Sequence, residues 1–208
     1  MGRICGGRGG YSTPTDRIPF LAFSDIYDDP ARVATHLFDI SEMEQDLADP
    51  ATAPNFVWFA ADDEFNMEGP TDFPVGIFNW ALGFLNPAHQ YNVAAGDKWL
   101  QGPLATIFNS PTWQDPSQKS AIFVTFDEDY NNITTGVGNE GNHIVMIVIP
   151  SPGALYDRVT NPDGMLPGVV ANGHYNHYSL QRTIEESLGL EPLTNNDKYA
   201  QPMNEFWT

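Results

Sequence analysis

The run Ser-Ala-Ile-Phe-Val-Thr-Phe-Asp-Glu-Asp over 120–129 constrains this chain more than any other segment. An apolar, β-rich stretch ends there at two adjacent carboxylates, Asp127 and Glu128. Runs of about four to eight such residues read as buried strands. In open α/β sheets, ligands bind beyond the carboxyl ends of the strands. Two anions delivered to that position repel each other unless a cation lies between them. Hard divalent ions take carboxylate oxygens, while zinc and iron also accept imidazole. The strand end is therefore a candidate metal site. Acid pairs in this position also serve as helix caps, turn formers or solvated loop charges, so the segment by itself leaves both readings open. An EF-hand is excluded. Asp127, Asp129 and Asn131 have its spacing, but Asn132 stands where its turn glycine belongs and Gly138 where its closing glutamate belongs.

At 208 residues the chain has room for one domain with a substantial core. A hydrophobic content of 41%, with 13 Phe, 8 Tyr and 5 Trp, argues for a packed globule rather than disorder. No apolar stretch approaches the ~20 residues of a membrane span. A formal charge of −18 with nine Lys plus Arg disfavours nucleic acid and anionic membrane surfaces as partners. A phosphate-bearing substrate needs a local positive site, such as a bound cation, against this background field. Cys5 is the one cysteine, so no internal disulfide forms. Residues 1–10 lack the apolar stretch of a signal peptide and the Gly-Lys-Ser/Thr ending of a P-loop. They read as a flexible lead-in, followed by a single domain over 11–208. Asn132-Ile-Thr134 has the form of a glycosylation sequon.

Asp29-Pro30 predicts a helix through Phe38, and Ser41 with Glu44 fits a capping box opening a second short helix through Asp49. Pro54 introduces Asn55–Ala61, another strand, which ends in the acids Asp62, Asp63 and Glu64. The aromatic, Gly/Pro-rich stretch 65–91 reads as a long loop, a feature that in compact domains is usually functional or disordered. Val93–Phe108 predicts a helix with Trp99, Leu104 and Phe108 toward the core and a kink at Gly102-Pro103. His143–Ile149 predicts a third buried strand stopped by Pro150. Leu180, Ile184 and Leu188 then lie on one face of a last helix, with Gly189 at its C-terminal cap. Strands alternating with helices predict an α/β sheet.

His174 and His177 are three apart, His177 at the mouth of that last helix. Imidazole ligates transition metals, and a helix N-terminus attracts anions through its free N–H groups. His177 thus suits a cation or the phosphate that a cation holds, and suits equally a capping or packing role. His143 reads as structural. Asp62, Asp63, Asn66 and Glu68 form either a solvated loop or the edge of a site, since they follow a buried strand.

Four segments in order carry a resemblance: Pro54-Asn55-Phe56-Val57 through Asn66-Met67; Gly96-Asp97-Lys98-Trp99-Leu100; Phe126-Asp127-Glu128; and His177-Tyr178-Ser179-Leu180-Gln181-Arg182-Thr183-Ile184-Glu185, continued by Gly189-Leu190 and Pro192-Leu193. They resemble the C-terminal half of the phosphoesterase family of the alkaline-phosphatase superfamily, which includes bacterial acid phosphatases and phosphocholine-hydrolysing phospholipases C. The resemblance spans about residues 11–208. It implies a mostly parallel, alkaline-phosphatase-like sheet flanked by helices, and metal-assisted hydrolysis of a phosphate-ester small molecule or phospholipid headgroup. It also implies an exported protein. Asp127 and Glu128 inherit the role of ligands to a divalent metal ion, and His177 that of the late site histidine. Asp62, Asp63, Asn66, Glu68 and His174 fall in or near the same site.

This sequence departs from the family's pattern in two places. Met67-Glu68 stands where the family has Met-His, which puts a carboxylate in place of a phosphate-facing imidazole. The family's N-terminal half, with its Glu-Asn-x-Ser-Phe metal motif and its Ser or Thr nucleophile, has no counterpart here. Ser12, Thr13 and Thr15 have no adjacent base and are not assigned that role. The rival reading is a non-enzymatic binding module on the same fold, using the aromatic loop 65–91 with Trp80 and Phe84.

Overall fold

The chain mixes helix and strand over residues 2–6, 18–61, 65–67, 93–128 and 143–207, which the computed structural model describes. The chain divides into two compact units. The first comprises Met1–Gln114 with Phe126–Ile144, the second Asp115–Thr125 with Val145–Thr208.

Unit 1 is built on a three-stranded parallel sheet of order β2–β1–β3, with β1 at Gly2–Gly6, β2 at Leu37–Phe38 and β3 at Phe56–Ala60. The flexible lead-in expected over 1–10 is thus corrected for Gly2–Gly6, which is the central strand. Glycine-rich segments lack the side-chain alternation that reveals a strand. Here the backbone finds partners on both sides instead, Gly2–Gly6 against Phe56–Ala60 and Ile4–Cys5 against Leu37–Phe38. Helix α1, Ser24–Tyr27, precedes α2, Pro30–His36, where Asp29 Oδ1 accepts from the N–H groups of Ala31 and Arg32 at 3.0 and 3.2 Å. This N-cap and Pro30 at the first helical position open α2 where the sequence predicts. The expected Ser41 capping box does not form. Asp39 caps a 3-10 turn, Ile40–Glu42, through a bond from the Ser41 N–H, and α3 is confined to Met43–Asp46.

Helix α4, Val93–Asn109, runs through Pro103 and leads into α5, Pro111–Gln114. Ser110 joins them: its hydroxyl donates to the Ile107 carbonyl and accepts from the Trp113 N–H. Thr112 ties this corner to α3 by donating to the Leu47 carbonyl from both its hydroxyl and its N–H. Ile18, Met43, Ile107 and Trp113 are buried. Phe20 packs edge-on against Phe56 and Trp58, and Phe59 and Phe65 pack against Trp99.

Unit 2 holds β4, Ala121–Thr125, and β5, Met146–Pro150, paired antiparallel with Ala121 opposite Pro150 and Thr125 opposite Met146. Apolar patterning finds both strands within a few residues but cannot choose their partner. Strands consecutive in sequence pair directly, without the crossover that a parallel arrangement needs. The core of this unit is markedly polar. Buried Ser151 accepts from the Ser120 N–H and donates to the Gln118 carbonyl. Buried Asn161 donates to the carbonyls of Gly153 and Leu155 and accepts from Lys119 Nζ. Met165 and Met203 supply the apolar centre.

Helix α6, His177–Leu188, ends on Gly189 at φ 66°, the left-handed cap the sequence predicts. Its buried residues are Ser179, Thr183 and Glu185, whereas Leu188 of the expected apolar stripe is 36% exposed. The reason is hydrogen bonding. The Thr183 hydroxyl accepts from the Met203 N–H at 2.9 Å and donates to the Ser179 carbonyl at 2.7 Å. Glu185 Oε1 accepts from the Leu193 N–H at 3.1 Å and from Gln181 at 2.8 Å. Backbone donors from later segments need acceptors on the helix side they dock against. The last short helix, α7, Asn195–Lys198, carries a reciprocal cap between Thr194 and Asp197.

Candidate functional site

Asp127 and Glu128 lie just past the C-terminal end of β4, both exposed. The Glu128 N–H donates to Asp127 Oδ1 at 3.0 Å, which turns the chain at the point where strand pairing stops. By the division of the chain these two acids belong to unit 1, while His174 and His177 belong to unit 2. The donor chemistry of the acid pair fits a hard divalent cation, with water completing the shell. Among the described residues no group of three or more His, Cys, Asp or Glu side chains gathers as a ready metal centre. No described helix is long and apolar enough to cross a membrane.

The loop after β3 is described at residues 65–67; Asp62, Asp63 and Glu68 lie outside the described residues, as does most of the aromatic loop 65–91. Phe65 stacks on Trp99 with ring centroids 6.5 Å apart and planes 12° from parallel. Met67 has φ 69°, a left-handed backbone seldom taken by residues other than glycine. Its side chain presses on α4 at Gly96, where an added Cβ would lie 2.5 Å from Met67 Cγ and 2.8 Å from the Phe65 carbonyl oxygen. Asn66, half-buried, is held between these two anchors. Backbone outliers of this kind persist only where the surroundings impose them, and they cluster at functional sites.

His177 is the first residue of α6 and is exposed. The helix opens with a capping box: Asn176 Oδ1 accepts from the Ser179 N–H at 3.1 Å, and the Asn176 N–H donates to Ser179 Oγ at 3.3 Å. His174, also exposed, lies in the irregular segment before the cap.

Glu205, which carries no local signal in the sequence, fastens that segment. Its carboxylate accepts from the N–H groups of Asn172 and Gly173 and from the Tyr175 hydroxyl. The Asn172 bond, then the Tyr175 bond, and after them that of Gly173, hold this carboxyl below the usual carboxylate range although burial pushes it up. Burial, then the bond and charge of Glu205, push the Tyr175 hydroxyl up.

Comparison with protein-family models, with curated proteins and with solved structures gives no significant match.

Proposed function

We propose that this chain is a metal-dependent hydrolase of phosphate esters, of the acid-phosphatase or phospholipase C kind, on an alkaline-phosphatase-like framework. The observation that carries the reading is the meeting of two of the resembling segments within unit 1. The Phe65–Met67 loop and the Gly96–Leu100 stretch are far apart in sequence, yet Met67 is seated on Gly96 and Phe65 on Trp99. A family resemblance spread over separate segments predicts that they share one neighbourhood.

In this reading Asp127 and Glu128 of unit 1 ligate the cation, and His177 keeps the phosphate-binding role that the resemblance implies. Asp62, Asp63, Asn66, Glu68 and His174 are the further residues that the resemblance implies for this activity. When bound, a divalent cation supplies polarisation of the phosphoryl oxygens and a lowered pKa for a bound water. No Ser or Thr of this chain is assigned as nucleophile. With two protein ligands, metal affinity is weak and turnover by this chain alone is low.

Calorimetric titration with manganese or zinc, on the wild type and on Asp127→Ala and Glu128→Ala, tests the reading. One weak site per chain, weakened about tenfold or more by either substitution, supports it; a tenfold loss is the size of a single lost ligand interaction of about 1.4 kcal/mol. Binding that is unchanged in both variants defeats the assignment. No stoichiometric metal at all favours the binding-module alternative.

A further inference from the structure

The segment that carries His174 and leads into α6 contains no helix or strand of its own. A carboxylate thirty residues or more further along the chain shapes it. Glu205 Oε2 accepts from the Asn172 N–H at 2.8 Å, and Oε1 accepts from the Gly173 N–H at 2.7 Å and the Tyr175 hydroxyl at 2.8 Å. Consecutive backbone N–H groups converging on one anion form a concavity that needs a negative charge to fill it. The fit is close: an added Cβ at Gly173 would lie 2.5 Å from Glu205 Oε1 and 2.7 Å from Tyr175 Cζ. Any other residue there pushes the carboxylate or the phenol ring away.

Asn176 follows Tyr175 at once and caps α6, and His177 is the first residue of that helix. The Glu205 contacts therefore reach from two residues before His174 to two residues before His177. Fixing the backbone of Asn172–Tyr175 fixes where His174 projects and how the chain enters the helix at His177.

We propose that Glu205 is a positioning residue, acting through Asn172, Gly173 and Tyr175 to hold the imidazoles of His174 and His177 in one arrangement toward a phosphate ester. The inference rests on the reading of those two histidines as site residues. Glu205 touches no substrate. Its charge is what the arrangement needs, because both carboxylate oxygens accept and neither can donate. An amide of the same shape has one accepting oxygen and two N–H groups, so Glu205→Gln must abandon at least one of the three bonds. Glu205→Asp keeps the charge and shortens the reach.

Two-dimensional NMR of the full chain tests this, following the Asn172 and Gly173 amide signals and the ring signals of His174 and His177. Each protein is also titrated with inorganic phosphate in the presence of magnesium. In Glu205→Gln the amide and both ring signals are expected to move, with the phosphate response weakened several-fold. Glu205→Asp is expected to restore part of each. Ring signals that stay in place while the amides move overturn the proposal, since Glu205 then only ties down a loop. Ring signals that move with Glu205→Gln, in a protein whose histidines ignore phosphate, leave the positioning role standing and remove the phosphate-ester reading. If Glu205→Gln does not fold, Tyr175→Phe deletes one bond alone. A smaller displacement of the same ring signals supports the proposal, and none counts against it.

Discussion

Met67, with its backbone in the left-handed region at φ 69°, lies against Gly96 of α4 with no room for even a methyl group between them. The loop carrying Asn66 is thereby keyed to one position on the helix. Strain at Met67 and the missing side chain at Gly96 are two halves of the same contact.

Gly96→Ala is therefore expected to destabilise unit 1, against the usual rule for helices. Alanine gains about 1 kcal/mol over glycine in a helix interior. The new methyl meets the Met67 side chain, which is able to swing aside, and the Phe65 carbonyl at 2.8 Å, which is backbone and is not. Overpacking of this kind costs about 1–3 kcal/mol, so the net change is a loss of roughly 1 kcal/mol. Urea denaturation measures it, and a stabilised variant would contradict the contact.

Thr183 links α6 to the segment at Met203. Thr183→Val preserves shape but removes the acceptor for the buried Met203 N–H. Leaving that donor unsatisfied costs about 1–3 kcal/mol. Amide hydrogen exchange at Met203, together with the thermal midpoint, reads the effect; an unprotected Met203 amide in the wild type would show that the bond does not form.

The ends of α6 are held by local chemistry. Asn176→Ala is expected to cost about 1 kcal/mol through loss of the cap. Gly189→Ala should cost about 1–2 kcal/mol, because a Cβ is disfavoured at φ 66°. Circular dichroism during thermal unfolding checks both, and a neutral Gly189→Ala would place that residue outside the left-handed region.

Asp197 gives the fold an acid limit. Burial pushes its carboxyl up, but bonds from the Thr194 hydroxyl and N–H and from its own backbone outweigh this and hold it far below its ordinary value of 3.8. A carboxyl lowered by folding adds stability above its unfolded value and loses it as pH falls toward the folded one. Unit 2 is thus expected to weaken as pH drops below about 4, where the unfolded chain takes up the proton first. Thermal midpoints measured down that range should fall more steeply for the wild type than for Asp197→Asn. Parallel curves would exclude Asp197 as the group responsible.

Little hydrolysis of an aryl phosphate is expected from this chain alone with added divalent metal, because no residue is assigned as nucleophile. Robust turnover abolished by Asp127→Ala would instead locate a complete site here.

Helix ends and strand cores were the readable part. Asp29-Pro30 opens α2, Gly189 closes α6, and the apolar runs before Asp127 and before Pro150 are β4 and β5. Ser41 misled because Asp39, two residues earlier, offers a stronger acceptor to the same turn. The burial of Ser179, Thr183 and Glu185 in α6 is hidden from the sequence because polar residues covered by backbone donors look like solvated ones. The Thr194–Asp197 cap had a visible Thr-x-x-Asp signature, whereas Glu205 had none.

By itself, then, the sequence determined where α2 opens, where α6 closes and where the apolar cores of β4 and β5 lie, since capping groups and backbone preferences act within a few residues of each other. Tertiary structure alone decided the pairing of β4 with β5, the seat of β1 between β2 and β3, the lock of Met67 on Gly96 and the grip of Glu205 on the His174 segment. Each of those joins donors and acceptors or surfaces brought together only by folding, and such partnerships leave no period in the chain.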